Sequence, residues 1–179
     1  MSKINKLLFD EKLKNSLLDC INKCIQVSLK HSVKVLNNKS DGTMVTSNDI
    51  KIDNIIRDRL HYLLPDIPYV SEERALKRYS FTQDIYWLVD PIDGTTSYVN
   101  GKDSYTINIA LIFKGTPVLG YIANPPSNTI WYTFRNNSFM MKHKLNRRVC
   151  TTKSVKSSFR VVMSKSKNTL ANVLMERIN

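Results

Sequence analysis

A chain of 179 residues, 42% of them hydrophobic, is long enough for one domain that buries roughly two thirds of its unfolded surface. No apolar run approaches a membrane span, Met1-Ser-Lys-Ile-Asn-Lys is too polar for a secretory signal, and three cysteines argue against a disulfide framework. A cytoplasmic protein is expected, with peripheral attachment at the inner face of the membrane left open. The 27 Lys+Arg against 15 Asp+Glu, a net +12, would suit a nucleic-acid binder. Yet the basic residues are scattered, without a basic helix or aromatic-basic ladder, so nucleic acid is not the expected partner. A positive field also gathers small phosphorylated substrates.

Leu13, Leu17, Ile21, Cys24, Ile25 and Ser28 recur at three- and four-residue steps and predict a helix over residues 5–35. Cys20 and Cys24 share its face and read as buried thiols, since no second Cys/His pair offers zinc spacing. Residues 37–42 form a polar, Gly-containing loop. Thr46 reads as an N-cap with Asp49 three residues on, a weaker capping box, and this alone is a sufficient structural role for both. Ile52, Ile55, Ile56, Leu60, Leu63 and Leu64 then carry a second helix until Pro65. Residues 68–73 predict a short strand ending in Glu72 and Glu73, and residues 74–83 a polar loop.

Trp87, Leu88 and Val89 predict a short buried strand, after which Pro91 and Gly94 put Asp90 and Asp93 on a turn. Beyond Gly101, residues 105–113, 118–123, 129–134 and 139–141 predict strands joined by tight turns, an antiparallel meander. Trp131, Met140 and Met141 read as core or sheet-face residues, and residues 142–148 as an exposed basic connection. Residues 159–163 are a further strand candidate, followed by a helix from about Thr169. The expected class is α+β: two N-terminal helices packed on a mainly antiparallel sheet.

The chemistry concentrates in Asp90-Pro-Ile-Asp-Gly-Thr-Thr96. Two carboxylates ending an apolar strand are costly against a core unless a cation neutralises them. Mg²⁺ takes such oxygens, here Asp90, Asp93 and the carbonyl of Ile92. Gly94, Thr95 and Thr96 could open a helix whose amides cradle a phosphate. Against this, Asp-Pro and Asp-Gly pairs are also ordinary turn formers. His31, His61 and His143 have no Ser or Cys partner at recognisable spacing and read as surface or packing residues.

Asp90-Pro-Ile-Asp-Gly-Thr-Thr96 resembles the signature of the inositol monophosphatase family of Mg²⁺-dependent phosphatases. Lys39-Ser-Asp-Gly-Thr-Met-Val-Thr-Ser-Asn-Asp49 resembles that family's Lys…Asp-Gly-Ser-Pro-Val-Thr…Asp segment, and Ser71-Glu-Glu73 its paired glutamates. The resemblance implies metal ligation by Glu72, Asp90, Asp93 and the Ile92 carbonyl, with two or three Mg²⁺ ions. It implies phosphate binding by Ile92, Asp93, Gly94 and Thr95, and catalytic roles for Glu72, Asp49 and Thr95, the last two orienting the attacking water. Glu73 would be an outer neighbour or touch that water. Val70-Ser-Glu-Glu, Tyr86-Trp-Leu-Val-Asp, Gly115-Thr-Pro-Val-Leu-Gly120 and Val161-Val-Met-Ser-Lys-Ser look like the 3′(2′),5′-bisphosphate nucleotidase branch, of CysQ type. That branch removes the 3′-phosphate of adenosine 3′,5′-bisphosphate; inositol monophosphatase activity is the alternative.

One departure is large. The family continues into a second α/β half with a Trp-Asp-x-Ala motif that completes the metal cluster, and no Trp-Asp pair occurs here. Residues 1–179 are therefore expected to be the N-terminal metal- and phosphate-binding domain, truncated, with the second half missing. A catalytically inactive remnant that binds metal and phosphate stays open, as do a homodimer and a complementing C-terminal chain.

Overall fold

The N-terminal apolar stripe builds two helices, not one. The computed structural model describes residues 3–30, 34–38, 44–74, 83–142 and 145–149, all within Met1–Val149, the first of two compact units. Helix α1 spans Lys3–Leu8 and α2 spans Glu11–Ser28. Between them Asp10 is extended, and its carboxylate accepts the Leu13 amide at 3.0 Å, an N-cap that restarts the helix. The expected continuation to residue 35 fails: α2 stops at Ser28, and Val35–Asn38 is a strand, β1, antiparallel to β2 (Met44–Thr46). Residues 37 and 38 of the expected loop thus belong to β1.

Helix α3 (Ser47–Leu63) begins as the sequence predicts. Thr46 accepts the Asn48 and Asp49 amides while Asp49 Oδ2 accepts the Thr46 amide at 2.9 Å, a reciprocal capping box. Leu13, Leu17, Ile21 and Ile25 of α2 and Ile52, Ile56 and Leu60 of α3 enter one core. Cys20 and Cys24 are buried free thiols, as expected.

That core rests on a seven-stranded sheet in the order β3-β4-β5-β6-β7-β8-β9. Its strands are β3 (Tyr69–Ser71), β4 (Ile85–Asp93), β5 (Thr106–Phe113), β6 (Thr116–Asn124), β7 (Thr129–Phe134), β8 (Asn137–Lys142) and β9 (Leu145–Val149). Every pair is antiparallel except β3 with β4, which run parallel with Tyr69 opposite Trp87 and Ser71 opposite Val89. The α+β class holds, with the sheet mixed at this edge. Side chains alternate across it: Trp87, Val89, Ile107, Ile109, Leu111 and Tyr121 face the helices and are buried. Leu88, expected in the core with its neighbours, is 45% exposed because it points the other way, along with Ile122 and Trp131.

Two further expectations change. Asp90 and Asp93 do not leave the strand on a turn; β4 runs on to Asp93, with an irregular register that spends four of its residues against Asn108 to Thr106. The basic stretch is not a plain connection, since residues 145–149 pair with β8 as β9 while Arg147 and Arg148 stay exposed. The segments at 39–43 and 75–82, the strand and helix candidates beyond residue 150, and His31 and His143 lie outside the described residues. None of the described helices is long and apolar enough to cross a membrane.

Leu17 is fully buried where α2 meets this core. Leu17→Ala is expected to destabilise the fold by about 2–5 kcal/mol, read as a lower urea midpoint at unchanged slope.

Candidate active site

Glu72 follows directly on β3, so parallel pairing sets it beside the end of β4. Its amide donates to the Val89 carbonyl at 3.2 Å, one residue short of Asp90. The Asp90 carboxyl is hydrogen-bonded to that of Glu72 and feels the charges of Asp93 and Asp49. Burial first, then the Glu72 and Asp93 charges, push it up to about 8. Acids from α3, the β3 end and the β4 end therefore share one electrostatic neighbourhood. Glu72, Asp90 and Asp93 line a cleft of about 650 Å³ together with Leu88, Asn108 and Ile122. Among the described residues no three His, Cys, Asp or Glu side chains close into a ready-made cage.

Asp49 is 1% exposed. Its Oδ2 takes the Thr46 amide and hydroxyl, but its Oδ1 is buried without a hydrogen-bond partner. Burial raises its pKa, offset by the bonds from Thr46, and Glu72 adds to the rise. An unpartnered carboxylate oxygen in the interior is costly. The Thr95 hydroxyl does not supply the missing bond; it donates to the Ile92 carbonyl at 3.0 Å. The Asp49–Thr95 contact expected for a water-orienting pair is thus absent in this conformation.

Gly94 carries the chain from β4 into α4 (Thr95–Val99) at φ +87°, a left-handed conformation. A Cβ there would stand 2.9 Å from the Ser104 carbonyl oxygen, so glycine is required on both counts. The amides of the first turn of α4 have no partner within the helix. Tyr98 anchors this turn: its hydroxyl donates to the Ser28 carbonyl at 2.8 Å and accepts from Asn48 Nδ2 at 2.6 Å. The end of α2, the start of α3 and α4 are knotted at one buried point. On the far side the Asn124 amide holds the carbonyls of Asp103 and Tyr105 at 3.0 and 2.9 Å.

The structure thus brings Glu72, Asp90, Asp93 and Asp49 into one electrostatic neighbourhood and places Ile92 at the end of β4, with Gly94 and Thr95 where the chain passes into α4. Sequence reasoning missed Asn48, Tyr98, Asp53 and Arg74. Asn48 and Tyr98 lie 50 positions apart, and nothing in their local sequence announces the bond.

All ligands on offer here are oxygens, which suits a hard divalent cation. The unpartnered Asp49 Oδ1 and the mutual loading of Asp90, Glu72 and Asp93 are relieved by positive charge, so the residues fit Mg²⁺.

The model of the inositol monophosphatase family matches residues 8–178, and the chain belongs to that family. It is 37% identical over 134 residues to the 3′(2′),5′-bisphosphate nucleotidase CysQ of Buchnera aphidicola, a match covering 69% of this chain and 49% of that protein. It is 41% identical over 95 residues to CysQ of Shigella flexneri, covering 52% of this chain and 38% of that one. The chain thus spans about half, or less, of the length of these curated relatives. A solved Thermotoga maritima IMPase superposes with a TM-score of 0.62 at 26% identity, over 73% of this chain and 51% of that one. An IMPase/NADP phosphatase structure complexed with Mg²⁺ and phosphate shares the fold, with a TM-score of 0.64 at 24% identity, over 78% and 52%.

An acid whose folded pKa exceeds its unfolded value keeps its proton longer in the native state. The stabilisation is present below about pH 4 and is lost as pH rises towards 8. In metal-free protein, urea midpoints should therefore fall between pH 5 and pH 8. Asp90→Asn should flatten that slope and raise the midpoint at pH 7.

Proposed function

We propose that residues 1–179 form the metal- and phosphate-binding domain of a Mg²⁺-dependent phosphomonoesterase that removes the 3′-phosphate of adenosine 3′,5′-bisphosphate. The observation that carries this reading is the convergence of Glu72 with Asp90 and Asp93 beside the Gly94–Thr95 turn. The nucleotidase assignment draws on the curated relatives of CysQ type. Glu72, Asp90, Asp93 and the Ile92 carbonyl would hold the ions. When bound there, Mg²⁺ would supply charge compensation for phosphate and acidity to a water.

The remaining work falls to the chain's own groups. Amides of the first turn of α4 bind phosphate oxygens and set the ester's orientation. Asp49 Oδ1, buried and without a partner, accepts a hydrogen bond from the attacking water and so orients it. Thr95 Oγ1, lying beside Ile92 in this conformation, rotates to complete the pair. Phosphoryl transfer needs positioning and charge compensation more than covalent help, so no nucleophilic side chain is required.

Phosphate release from adenosine 3′,5′-bisphosphate and from inositol monophosphate, with and without Mg²⁺, tests the proposal. Mg²⁺-dependent turnover of the nucleotide is expected, with Asp93→Asn lowering kcat at least about 100-fold. Turnover indifferent to Asp93→Asn would remove the metal assignment. Preference for the inositol ester would move the substrate to the alternative class. Mg²⁺-dependent phosphate binding without turnover would leave a binding domain only.

A further inference from the structure

Asp53 lies one turn beyond Asp49 on α3, is 1% exposed, and is not part of the ligand set described above. Its carboxylate accepts the Tyr69 hydroxyl at 2.7 Å through Oδ1 and Arg74 Nε at 2.7 Å through Oδ2. Arg74 also donates to Asn54 Oδ1 at 2.9 Å. Tyr69 begins β3 and Arg74 stands two residues past Glu72, so one buried carboxylate grips both sides of the segment that carries Glu72. Within that segment the Arg74 amide donates to the Ser71 carbonyl at 3.2 Å and the Glu73 amide to Ser71 Oγ at 3.3 Å.

A buried carboxylate is expensive to desolvate, and a lone ion pair seldom contributes much stability in return. The geometry gives it another use. β3 is a three-residue strand, paired among the described residues with β4 alone, and such a strand frays readily. Through Tyr69 and Arg74, α3 ties the segment that sets Glu72 beside Asp90 from outside the sheet.

We propose that Asp53 is a positioning residue that, through Tyr69 and Arg74, holds Glu72 in the place where it meets Asp90, and so sets the affinity of the acidic cluster for a divalent cation. This rests on the metal reading above. Asp53 touches neither ion nor substrate; it acts on where Glu72 stands.

The test uses the full chain and Mn²⁺ as the probe. Titration calorimetry compares wild type, Asp53→Asn, Glu72→Gln and the double variant, with thermal melts to confirm that each is folded. Asp53→Asn is expected to weaken Mn²⁺ binding roughly 10- to 100-fold. The double variant should bind no more weakly than Glu72→Gln alone, because both changes act through one carboxylate. Arg74→Lys should restore part of the affinity that Arg74→Met removes. Independently of any metal, amide exchange at Glu72 and Arg74 should speed up in Asp53→Asn and, more mildly, in Tyr69→Phe. Wild-type affinity and unchanged exchange in a folded Asp53→Asn would overturn the proposal, as would losses that simply add in the double variant. If wild type binds no Mn²⁺, the metal reading fails, and exchange at Glu72 alone decides whether Asp53 positions it.

Discussion

Two strands that run the same way finish at the same edge of a sheet, and here both finish in carboxylates. β3 and β4 are the only parallel neighbours among the described strands, and the register that sets Ser71 opposite Val89 brings Glu72 beside Asp90. An antiparallel pairing would send the two acidic ends to opposite edges. The site depends on that one reversal of direction, and the strand that provides it is three residues long.

The cost of this arrangement is electrostatic. Asp90, half-buried beside Glu72 and Asp93, is pushed to about 8, and Asp49 is raised by its own burial. The protein tolerates these acids because the surrounding frame is overdetermined. Asp49 is fixed by its reciprocal capping box with Thr46, which occupies Oδ2 and leaves Oδ1 without a partner. Asp49 thus secures the start of α3 while one of its oxygens stays buried and unpartnered, at a desolvation cost.

The turn from β4 into α4 is held by long-range bonds of a different kind. Tyr98 joins Ser28 and Asn48, so the passage from β4 into α4 is referenced to both helices, whose apolar faces are in turn referenced to the sheet. The Tyr98 and Tyr105 rings, 4.8 Å apart, continue that packing to the start of β5. Rigid elements on three sides position Gly94 and Thr95 more closely than a surface loop could.

Much of this was legible in the chain itself. The period of Leu13, Leu17, Ile21 and Ile25, the Thr46–Asp49 box and the strand-turn alternation after Gly101 specify elements through local geometry, and the α+β class follows from their order. Misreadings arose where a local rule met a competing one. Asp10 capped a new helix inside an apolar stripe, Leu88 turned outward because strand side chains alternate, and β4 continued through Pro91 because its irregular register needed no amide there. The candidate acids were also readable as residue types, since carboxylates after apolar strands ask for a cation. That Glu72 reaches Asp90, that Asp49 Oδ1 is left without a partner, and that Asp53 grips Tyr69 and Arg74 were decided only by the tertiary structure. Sequence fixes which groups a strand or helix presents, through bonds that span a few residues. Convergence of groups tens of positions apart is set by strand direction, register and helix packing, which depend on the whole core at once.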